Sequence, residues 1–142
     1  MTDAERRALL DALGAEYAAV YAYGVVAAFA SDERTRLVEQ FTAAHRARRD
    51  ATIAALTAAG VPVPAPEAAY TAPFPVDDPI PAANLAVAVE NDAAVAWRAV
   101  VEQAATEQTR GIGVDALSET AVRLATWQVI LGTATTALPG SA

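Results

Sequence analysis

The chain contains no cysteine and no lysine, and it has one histidine and one methionine among 142 residues. Without cysteine there is no disulfide framework, no thiolate metal site and no thiol nucleophile. Without lysine there is no Schiff-base chemistry. The ten basic residues are all arginine and face seventeen acids, giving a net charge of −7. Nucleic-acid binding depends on clustered cations that displace counterions from phosphates, so no nucleic-acid partner is expected. What remains for a site is oxygen chemistry and a single imidazole, His45, in the stretch TAAHRARRD.

Long hydrophobic runs are also missing. The most apolar stretch, residues 18–30, is too short to span a bilayer on its own. The uncharged tail 124–142 is interrupted by four threonines, Gln128, Gly132 and Pro139, which make a poor span. The opening MTDAERRALL lacks the basic, apolar and small-residue order of an export signal. The expectation is a cytoplasmic protein with no membrane partner. Its length suits one domain, 1–142, with a core that needs no metal or disulfide to close it.

Helical periodicity covers four segments, about 3–29, 32–59, 81–110 and 115–137. Thr2 with Glu5 three residues on has the capping-box pattern, and Ser31 is a candidate cap for the second helix. Gly60 closes the second helix, and Gly111 and Gly113 are read as breaks between the third and fourth. Residues 60–80 and Pro81 carry seven of the eight prolines; the stretch 60–80 is read as a non-helical connection, and Pro81 suits the first turn of the third helix. Helices of this length measure roughly 40 Å at ~1.5 Å per residue. A proline-rich connection of about twenty residues reaches roughly 60 Å at ~3.1 Å per residue, enough to run the length of a bundle. The predicted fold class is all-α: a four-helix bundle of two tight hairpins joined by one long crossover.

Projection at ~100° per residue turns several ionisable groups inward. Glu16 lies on the stripe of Leu9, Leu13, Val20, Tyr23 and Ala27. Glu90 lies on that of Ala86, Ala93, Ala94, Trp97 and Val101. His45 and Arg48 lie on that of Leu37, Phe41, Ala44, Thr52 and Ala55. Glu16 and His45 stand about fourteen residues on either side of the first turn and are therefore level, and the crossover brings Glu90 within roughly 6 Å of the same height at ~1.5 Å rise per residue. A buried carboxylate without a partner is very costly, so these groups must satisfy one another or bind something.

Over nearly its full length the chain resembles the ferritin-like superfamily. The stretches AEYAAVYAYGV and AAHRARRD and the PFP of the crossover are similar to a DUF4439-type actinobacterial family of unknown function. The resemblance implies a metal site in which Glu16 is the first-helix ligand, His45 the histidine of the second-helix pair and Glu90 the third-helix glutamate. The pattern departs from that set in two places. Thr42 stands where the bridging carboxylate of Glu-x-x-His would be, and Leu124-Ala-Thr-Trp127 stands at the depth of the fourth-helix pair.

Two readings follow. In the favoured one no cofactor is expected, no residue is catalytic, and Glu16, His45, Arg48 and Glu90 form a buried ion network in which Arg48 replaces the metals. In the alternative, Glu16, His45 and Glu90 hold a single iron or manganese ion in a metal-dependent oxidoreductase. Tyr17, Tyr21 and Tyr23 are read as core and border residues, and Asp77 and Asp78 as turn and cap chemistry. On the outer face of the fourth helix Val122, Val129 and Ile130 are interrupted only by Arg123 and Thr126, and Gly24, Val25, Val26 and Phe29 extend the surface from the first helix. Such a second apolar face implies a homodimer or a partner docking site, the alternative being that the crossover covers it, and in the favoured reading the protein acts through assembly or partner binding.

Overall fold

The structure, a computed structural model, describes residues 1–141. Ala142, the last residue of the expected domain, lies outside the described residues. Four helices make up the bundle: α1 (Asp3–Phe29), α2 (Thr35–Ala58), α3 (Pro79–Gln103) and α4 (Glu107–Leu131). α1 packs against α2 and α3, and α3 against α4. Pro79 and Ile80, at the start of α3, share a concavity with Ala30, Ser31 and Arg34 at the α1–α2 turn. The crossover therefore runs from one end of the bundle to the other, and is strapped down where the Tyr17 hydroxyl donates to the Pro64 carbonyl at 2.8 Å. The all-α, single-crossover topology is the one read from the sequence.

α1 starts where Thr2, in extended backbone, accepts the amide of Glu5 at 3.1 Å. Ser31 does not cap in this way. A 3-10 turn, Asp32–Arg34, intervenes, and the Ser31 side chain makes no capping bond. The largest boundary difference lies between α3 and α4. The turn falls at residues 104–106 and not at Gly111–Gly113, because extended Thr106 accepts the amide of Thr109 and starts α4 there. Both glycines lie inside α4. α4 then ends at Leu131, six residues earlier than expected, with Gly132 left-handed at φ 71° and Thr133 donating back to the Gln128 carbonyl. The Gln128 amide holds Thr136 from both sides and turns the tail back over the bundle, where Arg98 donates to Ser141.

Gly113 shows what the close packing of α4 on α3 requires. A Cβ at this position would stand 2.9 Å from Cγ2 of Val101 and 3.2 Å from the Val101 backbone nitrogen. The glycine sets the approach of the two helices instead of ending one. Gly113→Ala should cost about 1–3 kcal/mol of unfolding free energy through overpacking, although alanine is the better helix former. Urea denaturation showing a more stable variant would contradict this.

The apolar interior has two parts. One gathers Leu9, Leu13, Leu56, Trp97 and Val100, and the other Tyr23, Val26, Val38, Phe41 and Trp127. Glu16, His45 and Glu90, all fully buried, lie along the helices between these groups. α1 is long and apolar enough by length and composition to cross a membrane, which the shorter count from residue 18 passes over. In the bundle it contributes residues to both halves of the core and carries the buried carboxylates of Glu5 and Glu16.

Candidate functional site

Each member of the central layer comes from a different helix, and counting from the turns places them. Glu16 on α1 and His45 on α2 face one another across the first hairpin. Nδ1 of His45 lies 2.6 Å from Oε2 of Glu16. On the other side of the ring, Nε2 lies 2.6 Å from Oε1 of Glu90 on α3. The imidazole is thus held between two carboxylates. The remaining oxygen of Glu16 accepts the Trp97 indole N–H at 2.8 Å.

Glu90 is the most heavily used acceptor. Besides His45, it receives Nε of Arg123 at 3.0 and 3.1 Å and the Tyr23 hydroxyl at 3.2 Å. Arg123 also donates to Thr120 on its own helix, and Tyr23 accepts the Trp127 indole N–H at 3.0 Å. The chain of partners runs from Trp97 through Glu16, His45, Glu90 and Tyr23 to Trp127, with Arg123 joining at Glu90. Among the described residues no buried side-chain nitrogen or oxygen lacks a partner.

Arg48 is not part of this layer. Its guanidinium donates to Glu119 of α4 at 2.9 Å near the surface and lies over the Trp97 ring, 5.8 Å from the centroid. The buried counterion is Arg123, which the sequence reading put on the outer face of α4. The cause is a rotation of the α4 frame. The buried stripe is Gly113, Ala116, Thr120, Arg123, Leu124, Trp127 and Gln128, so Arg123 points inward while Val122 and Val129 stay outside. The spacing of Ala116, Thr120, Arg123 and Trp127 marks one helix face, and this was the signal available for finding Arg123. Val26 likewise belongs to the core and not to an outer surface. Thr42 turns its hydroxyl back to the Val38 carbonyl at 2.7 Å and takes no part in the layer.

The electrostatics follow from burial and pairing. Burial alone would lower the His45 pKa, but the hydrogen bonds and charges of Glu16 and Glu90 outweigh it and raise it to about 9. Both ring nitrogens then carry protons and donate. The Tyr23 hydroxyl is pushed well above its ordinary value, first by burial and then by the Glu90 charge, so it stays a donor. The layer pairs two carboxylates with an imidazolium and a guanidinium, a balanced set that tolerates removal from water.

This arrangement does not fit a metal ion. A metal takes an imidazole lone pair, and here both nitrogens face separate carboxylates. Arg123 places a fixed positive charge on the carboxylate that a divalent ion would need. Among the described residues no group of three or more His, Asp or Glu is placed to hold a metal.

A family model described as a domain of unknown function, DUF4439, matches residues 8–142. The chain belongs to that family. It is also similar to a conserved hypothetical protein, rv2844, from Mycobacterium tuberculosis, whose crystal structure superposes with a TM-score of 0.90 at 43% identity, over 92% of this chain and 99% of that one. No curated protein matches the chain. In this DUF4439 chain the ferritin-like bundle is intact, and its centre is closed by side chains.

Proposed function

We propose that this DUF4439 protein is a ferritin-like bundle in which a closed ion layer takes the place of a metal centre, and that it acts by assembly and not by catalysis. The observation that carries this reading is the double engagement of His45, each ring nitrogen 2.6 Å from a different carboxylate. Protein purified without chelators and then loaded anaerobically with iron should retain only substoichiometric metal on elemental analysis. Stoichiometric iron or manganese that disappears in a Glu16→Ala, His45→Ala variant would replace this reading with the mononuclear oxidoreductase.

The surface offered for assembly is the outer side of α4, with Val122 and Val129 65% and 68% exposed. These valines share a groove with Leu37, Ile130, Glu33 and Arg34. An acid and a base side by side on the rim of an apolar face complement a second copy related by a two-fold axis. The occupant we assign is therefore another molecule of the same chain. Sedimentation of the wild type should give a dimer at micromolar concentration, and Val122→Asp with Val129→Asp should give a folded monomer. A monomeric wild type would remove the assembly half of the reading and leave the ion layer untouched.

A further inference from the structure

A second concavity lies away from the ion layer, between α1 and α3 where the crossover passes over them. It has a volume of about 170 Å³. Space arises because α1 presents Ala18 and Ala22 and α3 presents Ala88 toward the crossover, where longer side chains would fill the gap. Tyr21 of α1 and Tyr70 of the crossover stand at its edge with ring centroids 5.7 Å apart and planes tilted by 57°. The Tyr70 hydroxyl accepts the Glu67 amide at 3.1 Å. Asp92 of α3 completes the wall.

Asp92 gives the cavity its chemical sign. Partial burial raises its pKa, and among the described residues its carboxylate makes no ion pair and no side-chain hydrogen bond. Among the described residues no arginine and no histidine lines the space. Two tyrosine rings, apolar walls and one carboxylate suit an ammonium group: an aromatic ring attracts a cation electrostatically, and the carboxylate pairs with it directly. The overall negative charge favours the approach of cations. The volume is below that of drug-sized pockets, roughly 300 Å³ and more, so the ligand is small.

We propose that this cavity binds a small organic cation, an ammonium on an apolar or aromatic body, beside the rings of Tyr21 and Tyr70 and against the carboxylate of Asp92. The site is separate from the ion layer and does not depend on how that layer is read. Phenethylammonium is the probe, followed by amide chemical shifts of the isotopically labelled full chain, with 2-phenylethanol as its uncharged analogue. Saturable shifts are expected at residues 18–25, 70–73 and 85–92, with the ammonium binding about tenfold or more tightly than the alcohol. Asp92→Asn should abolish that preference, and Tyr21→Ala should weaken the ammonium about tenfold. Both residues are exposed, so the variants should keep the wild-type helical signal. Equal binding of ammonium and alcohol, an Asp92→Asn variant that keeps the preference, or no saturable shift at millimolar probe would each overturn the proposal.

Discussion

Arg123→Met is expected to lower the unfolding free energy by about 3–5 kcal/mol, because it strips a buried carboxylate of its guanidinium partner. Arg123 is 5% exposed and its Nε lies within 3.1 Å of both oxygens of Glu90. Methionine fills much of the same volume, so the loss measures the missing charge and donors more than a cavity. For a chain of this size each kcal/mol moves the melting temperature by roughly 2–4 °C, so a fall of about 10 °C is expected. Arg48→Met is the control. Its partner Glu119 is half exposed and its own side chain is reached by water, so the loss there should be about 1 kcal/mol or less. Thermal and urea unfolding of the two variants side by side decides between them, and a larger loss at Arg48 would restore that residue as the central counterion. Adding Glu90→Gln to Arg123→Met should return part of the lost stability, since the two residues are coupled and the stranded charge is then removed.

Raising the pH should destabilise the protein through His45. The folded pKa of about 9 lies above the ordinary value of 6.5. A group with a raised folded pKa contributes its full stabilisation below the unfolded value and loses it as pH rises through the folded one. The shift corresponds to about 3 kcal/mol at ~1.4 kcal/mol per unit. That contribution should be complete near pH 6 and be lost progressively between about pH 6.5 and 9. Urea midpoints across this range should fall for the wild type and stay flatter for His45→Gln. A wild-type profile that is flat between pH 6.5 and 9 would mean that the imidazole is not held as a cation.

The central layer was legible because it depends on counting. A hairpin with a short turn makes residues equidistant from that turn level with one another, and Glu16, His45 and Glu90 could be placed from the turn at Ala30–Ser31 and the reach of the crossover. Arg123 could not be placed in that way, because Gly111 and Gly113 look like a break and shifted the second hairpin by several residues. With the turn at residues 104–106, counting outward brings Thr120 level with Glu90 and Arg123 one helical turn farther. Charge added to the error. A lone arginine between Val122 and Leu124 is ordinarily a solvated residue, and only the demand of Glu90 for a counterion turns it inward. Arg48 was misplaced for the complementary reason: its angular position is near the stripe, but a long side chain carries its head to the rim, across Trp97 to Glu119.

The two indoles give the ion layer an optical readout. Trp97 and Trp127 are the only tryptophans, each at most 1% exposed, and their N–H groups donate to Glu16 and to Tyr23 at opposite ends of the same hydrogen-bonded chain. All of the tryptophan emission of this protein therefore originates beside its buried charges. Imidazolium quenches indole fluorescence more strongly than neutral imidazole does, so the native protein carries its own unlabelled reporter of the charge on His45.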